Sequence, residues 1–377
     1  MNGKDISVRG LVLLFVVTFA NVFPVAAKPS SFLPGKFKCK SYFHLRYSFI
    51  ENDAKNKISE DHWSLRRFKL AANWQINQKT SLCAQVIYKK NNYSATDADI
   101  FLQHAYLKFY IAKFLNLKIG QFKPPFGWER FQPDYRLPNA ERSQAMNRLI
   151  PNGALGESFV RDYGAQFFGK LTSSFQYELA LQAGSGANKS LSDKNFPLIT
   201  ARLSYKRSFK LPASSKKIQF LSQFAYSCRQ NKDNDFVKQL PGCDKTIFQN
   251  FSGDDRRLDF ALALTSDGTQ LAAEFLTTEF KADNLEFSPL KANGWFCEYS
   301  QFLTKHWQYV LRYEQFDPNQ SIKNLYDSSW LTIGIDFYFK NKLDRLMLNY
   351  VHKKEAADEV KNDLLMIQLQ YFLFGKS

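Results

Sequence analysis

The sequence predicts an all-β fold: a transmembrane antiparallel β-barrel of about sixteen strands, with its third extracellular loop folded inward. Three observations predict it. Polar and apolar residues alternate with period two through segments of roughly 9 to 11 residues, the length of a tilted bilayer-crossing strand. Short turns and longer polar loops follow one another along the chain, the asymmetry of an up-and-down barrel. An export signal precedes the first segment, and no later run reaches the roughly 20 apolar residues of a spanning helix. A mature chain that enters a membrane must therefore pair its backbone by closing into a barrel.

The signal consists of Lys4 and Arg9, the apolar run Leu11 to Ala20, and Val25-Ala26-Ala27, with cleavage expected after Ala27. This divides the chain into a signal peptide, 1–27, and a barrel, 28–377. The 36 phenylalanines and 18 tyrosines favour strands. A net hydrophilic mean hydropathy does not conflict with this, because alternation conceals the lipid-facing residues.

The first segment, FKCKSYFHLRYSF, puts Phe37, Phe43, Leu45, Tyr47 and Phe49 on one face and Lys38, Lys40, His44 and Arg46 on the other. After the polar ENDAKNKISED, WSLRRFKLAANW turns Phe68, Leu70, Ala72 and Trp74 outward and Arg67, Lys69, Ala71 and Asn73 inward. Arg66 falls on the outward phase, which suits only a rim, since a basic residue at the bilayer midplane costs about 2–4 kcal/mol. SLCAQVIYKK and IFLQHAYLKFY follow, the latter with His104, Tyr106 and Lys108 inward. LNLKIGQF, the fifth, faces Leu115, Leu117 and Ile119 outward and Lys118 inward.

A Pro-Pro-Phe-Gly break then opens a long loop, about 124–160, which carries Arg130, Arg136, Arg142 and Arg148 and leads to Arg161. Length of this kind in a strand-rich chain is usually functional. The expectation is that it folds into the lumen and narrows it.

Period two resumes from DYGAQFFG to DLLMIQLQYFLF and puts Arg202 and Arg312 on inward phases. LTSS, SDGT, LTKH and KNKL read as short turns, and SGANKSLSDKN and DPNQSIKNLYDS as long loops. Trp63, Trp74, Trp295, Trp307, Trp330, Tyr371 and Phe372 fall near strand ends, as interfacial girdles require.

The formal net charge of +16 points to anionic partners. Export and the scatter of the basic residues argue against nucleic acid. Gly184 to Ser190 lacks the glycine that a phosphate loop needs before its lysine, and reads as a hairpin loop. The histidines are scattered, no nucleophile-histidine-acid set has recognisable spacing, and neither catalysis nor a cofactor or metal is expected. Of the five cysteines, Cys228 and Cys243 bracket a polar stretch that a disulfide could close.

RRFKL (66 to 70), LQHAYLKFY (102 to 110), LKIGQFKPPFGWE (117 to 129), NAERS (139 to 143), RDYGAQF (161 to 167), AGSGANKS (183 to 190) and ARLSY (201 to 205) together resemble the phosphate-selective porin O and P family. The second half resembles it mainly by strand rhythm. The resemblance implies a sixteen-stranded outer-membrane barrel, usually a homotrimer, whose third extracellular loop folds inward and whose lumen passes phosphate or similar anions. Carried over by position, it assigns that role to Arg66, Arg67, Lys118, Lys123 and Arg142. His104 stands where the family often has an aspartate, and Gly375-Lys376-Ser377 follows the terminal aromatic Phe374.

Arginine offers an anion a planar fork of donors that stays charged, and lysine a mobile point charge. The pore-lining candidates are Arg66, Arg67, Lys69, Lys108, Lys118, Lys123, Arg130, Arg136, Arg142, Arg148, Arg202 and Arg312. The competing reading of each is a solvated loop position or pairing with an acid such as Asp134, Glu141, Asp162 or Glu314. The expected partners are small phosphate-like anions, outer-membrane lipid and lipopolysaccharide, and two further copies of the chain. The other functional class left open is a structural or adhesive barrel cross-linked through its cysteines.

Overall fold

The computed structural model describes residues 35–51, 62–90, 98–151, 161–188, 197–210, 217–234, 251–284, 288–323, 326–339, 343–357 and 360–375. The expected export signal at 1–27 lies outside them. Strands β1 (Lys36–Ile50), β2 (His62–Gln75), β3 (Thr80–Lys90), β4 (Ala98–Tyr110), β5 (Asn116–Phe122), β6 (Asp162–Lys170), β7 (Phe175–Gln182) and β8 (Leu198–Lys210) form the first half. The second half comprises β9 (Lys217–Asn234), β10 (Phe251–Ser266), β11 (Thr269–Ala282), β12 (Leu290–Phe302), β13 (Trp307–Asp317), β14 (Ser328–Tyr338), β15 (Arg345–Glu355) and β16 (Leu364–Phe374).

Each strand pairs antiparallel with its sequence neighbours, and β1 pairs with β16, so the sheet closes. Closure removes the unpaired edge that lipid cannot satisfy. The alternation shows most clearly in β10, where Asp255, Arg257 and Asp259 are buried inside while Leu258, Phe260, Leu262 and Leu264 are exposed outside. Such a surface, apolar outward and polar inward, is the reverse of a soluble sheet and the arrangement a bilayer demands.

Two departures from strict alternation matter. His44 pairs with Arg67 but Leu45 pairs with Leu65, so Arg66 is the extra residue of a β-bulge. Arg66 and Arg67 are consequently both buried in the lumen, each 4% exposed, and the outward placement of Arg66 expected from phase alone is corrected. A similar slip between Gln85 and Val86 brings Gln103 inward beside His104.

Trp330 and Phe372 are also corrected: both lie on inward phases rather than in the outer girdles. Phe372 is 1% exposed and stacks on Tyr42 at 5.0 Å. Trp63, 67% exposed beside Tyr47, and Trp307, against Phe337, do sit on the outer face. Cys243 lies outside the described residues, and Cys228 carries a free thiol on β9.

The segment after β5 holds two short helices, α1 (Trp128–Phe131) and α2 (Gln144–Arg148), flanking a 3-10 turn at Asp134–Arg136. It packs against the inner wall. Ser143 caps α2 by accepting a hydrogen bond from the Met146 amide at 3.2 Å. Ala145, Met146, Leu149 and Ile150 join inward residues of β9 to β13, among them Leu276, Phe280 and Phe316, in one buried apolar cluster. Each fully buried Leu or Phe contributes about 1.5–3 kcal/mol, so this wall is where the loop is seated.

Candidate functional site

With the loop seated on β9 to β13, the space left to it faces β1 to β4. That space is a cavity of about 170 Å³. Its wall supplies Lys40 from β1 and Arg66, Arg67 and Lys69 from β2, and the loop side supplies Lys123, Arg130, Arg142 and Arg161. Against these eight basic side chains the lining contains, among the described residues, one carboxylate, Asp134. The period-two pattern delivers Lys40, Arg67 and Lys69, and the bulge adds Arg66.

The site is held by ion pairs between wall and loop. Glu141 meets Arg46 at 2.6 Å, Arg66 at 2.7 Å and Arg67 at 2.9 Å. Asp134 meets Arg142 at 2.6 Å and Lys69 in a shorter contact, with Arg67 at 4.0 Å. Burial alone would raise both carboxyls. The opposing cations, led by Lys69 and Arg142 at Asp134 and by Arg66 and Arg46 at Glu141, instead hold both well below the usual carboxylate range.

The cations crowd one another. Burial, compounded by Arg161, Arg130 and Arg142, holds the Lys123 ammonium well below the ordinary lysine value. Burial also pushes Arg161 down to about 9, with Arg142 adding to it. Lys123 Nζ donates to the Arg130 carbonyl at 2.7 Å. An anion entering here relieves repulsion that the protein's two acids leave in place.

The opposite wall grips the loop backbone. Arg312 on β13 reaches Glu129 on α1 and Glu298 on β12, each at 2.5 Å, and donates to the Glu141 carbonyl at 3.1 Å. Arg345 donates to the Leu137 carbonyl at 2.6 Å and Arg257 to the Ile150 carbonyl at 2.6 Å. Asn139 donates to Glu298 at 2.6 Å, and the Ala140 amide donates to Asn349 at 2.8 Å. These partners come from strands far apart in sequence, so the loop bridges the lumen.

The other candidates divide. Lys108 and Lys118 are cross-strand partners on β4 and β5, with Lys118 donating to Gln166 at 2.8 Å. Arg202 pairs with Glu178, lies 3.7 Å from the Phe131 ring centroid, and lines another cavity, of about 560 Å³, at the short-turn end. Arg136 is exposed on the loop, Arg148 lies 4.7 Å from the Phe316 ring centroid, and neither lines the basic cavity. Arg312 is an anchor of the loop. Lys40, Arg46, Arg161, Arg257 and Arg345 were absent from the candidate set. For Lys40 and Arg46 the inward phase was signal enough, whereas Arg257 and Arg345 become visible only with the loop carbonyls they bind.

A family model described as phosphate-selective porin O and P matches residues 37–373. No curated protein matches the chain. Among solved structures the chain is similar to the anion-selective porin from Comamonas acidovorans, with 11% identity, 90% of this chain and 100% of that chain covered, and a TM-score of 0.60. It is similar to OprB of Pseudomonas putida, with 14% identity, 90% and 94% covered, and a TM-score of 0.59. It is also similar to OmpT, an outer membrane protein of Vibrio cholerae in trimer form, with 11% identity, 90% and 99% covered, and a TM-score of 0.56.

Proposed function

The chain belongs to the phosphate-selective porin O and P family, barrels of the bacterial outer membrane, and from that premise we propose that it forms a passive, water-filled channel that prefers anions of the phosphate class. One observation carries the preference: among the described residues, the cavity between the loop and β1 to β4 is lined by eight basic side chains and a single carboxylate. An oxyanion that sheds water there regains hydrogen bonds from guanidinium forks. Arg66, Arg67, Lys69, Lys123, Arg130 and Arg142 are the residues proposed to make those bonds, with Arg161 and Lys40 beside them.

Transit requires each site to release what it binds. The acids supply that property, because Glu141 and Asp134 compete with the anion for the same arginines. Lys108, Lys118 and Arg202 continue the basic lining toward the short-turn end and are proposed as the exit sites. A homotrimer is the proposed assembly, consistent with the trimeric form of the similar Vibrio cholerae barrel.

Reconstitution into planar bilayers tests the reading. Stepwise conductance with anion-selective reversal potentials is expected, and Arg67→Glu should move the reversal potential toward the cation side. No conductance steps, or cation selectivity in the unmodified chain, would overturn it.

A further inference from the structure

On the long-loop side of the basic constriction lies a separate cavity of about 310 Å³. Its two walls differ chemically. Arg46, Arg66 and Arg142 on one wall are occupied by Glu141 and Asp134. The other wall, from β14 to β16, is largely apolar, with Trp330, Val351, Leu364 and Met366, interrupted by Thr332, Asn349 and one cation, Lys353, and bordered by Glu314 of β13.

Part of that apolar surface has a structural task, since Val351 and Met366 pack against Ala140 of the loop. Packing does not account for two further features. Lys353 Nζ sits 5.1 Å from the centroid of the Trp330 ring; Glu355 and Asp363 act on it electrostatically, and among the described residues it forms no ion pair. Trp330 Nε1, and Gln144 Nε2 on the loop, are buried donors with no hydrogen-bond partner among the described residues, and Gln144 is only 3% exposed.

A cation beside an aromatic face, with spare donors and an apolar wall, matches a ligand that is charged at one end and apolar at the other. Inorganic phosphate matches it poorly, because a fully polar ion gains nothing from Val351 or Met366 and is desolvated by them.

We propose that this vestibule binds an aromatic monocarboxylate, with its carboxylate on Lys353 and its ring against Trp330, ahead of the basic constriction. The proposal rests on the anion-channel reading and adds to the phosphate-class anions of the constriction a second class, organic anions with an apolar body, bound ahead of it.

Block of chloride current through the full-length protein by benzoate, acetate and inorganic phosphate tests it. Benzoate should reach half-block at a concentration about tenfold below acetate. Trp330→Ala and Lys353→Met should each raise the benzoate value about tenfold and leave the phosphate value within about twofold. Trp330→Phe should preserve benzoate block. Equal block by benzoate and acetate, or variants that shift benzoate and phosphate together, would overturn the proposal.

Should the channel pass no anions, the channel reading fails separately, and benzoate quenching of tryptophan fluorescence in the folded protein decides the pocket. Quenching that Trp330→Phe abolishes supports the pocket, and quenching that the variant leaves unchanged, or no quenching, overturns it.

Discussion

Arg66 Nε on β2 lies 2.7 Å from Glu141 Oε1 on the inward loop, and the same carboxylate takes Arg46 at 2.6 Å and Arg67 at 2.9 Å. One acid thus holds three guanidinium groups, which leaves the cluster net positive while fixing the loop to the wall. Replacing Glu141 by glutamine should therefore do two things at once. The reversal potential should move further toward anion selectivity, since three arginines lose their internal counter-charge. Open-channel noise should rise, because removing one partner of a buried pair costs about 3–5 kcal/mol of its anchoring. Unchanged selectivity in bilayer recordings would show that the cluster only anchors the loop.

The legibility of that cluster in the sequence was uneven, for a physical reason. Alternation is a property of each strand by itself, so Lys40, Arg46, Arg67 and Lys69 declared their faces without any knowledge of the fold. Arg66 did not, because a bulge is decided by the register between two strands and not by either one. Trp330 and Phe372 were misjudged for a related reason: closeness to a strand end predicts a girdle, but phase decides whether an aromatic faces lipid or lumen. The loop was recognisable by its length and its Pro-Pro-Phe-Gly break. Which wall it leans on was not, since that depends on Leu276 and Phe280 of β11 meeting Phe316 of β13.

The pH response of the constriction follows from the direction of the Asp134 and Glu141 shifts. Both carboxyls sit well below their usual range because cations surround them. A folded-state value below the unfolded one means that the pairing contributes stability above the unfolded value, and loses it only as pH falls through the folded value. The unfolded values are about 3.9 and 4.3. Selectivity and current noise should therefore stay flat as pH is lowered from 7 to about 5, and change only below about 4. A midpoint near pH 6 in a reversal-potential titration would contradict this assignment.

Arg312 offers a test of the opposite wall. Its guanidinium bridges Glu129 and Glu298, each at 2.5 Å and both buried. Arg312→Met removes the cation and strands two carboxylates, at a cost of about 3–5 kcal/mol. The strands themselves are held by their ladders, so the loss should appear in the loop. Protease cleavage within 123–151 should accelerate while the barrel keeps its β-sheet circular dichroism. Arg312→Met combined with Glu129→Gln and Glu298→Gln should recover much of the protection. Equal protection in the single variant and the unmodified chain would mean that the apolar seat alone holds the loop.

That apolar seat turns on Gly294 of β12. A methyl group placed on Gly294 would lie 2.7 Å from Ala145 Cβ on α2, closer than two carbon atoms can approach, and 3.0 Å from the Gln315 carbonyl oxygen. The glycine is therefore needed for contact between strand and helix rather than for a turn, although NGW in the sequence resembles turn chemistry. Gly294→Ala should push α2 off the wall toward β1 to β4 and into the basic cavity. Single-channel conductance should fall as the passage narrows, with overpacking of this kind costing about 1–3 kcal/mol. Ala145→Gly removes the opposing methyl, so the double variant should return conductance toward the original value. Such rescue is the non-additive signature of two residues in direct contact. If the double variant conducts no better than Gly294→Ala, the clash with the Gln315 carbonyl within the sheet is the dominant effect, and α2 is not seated by this pair.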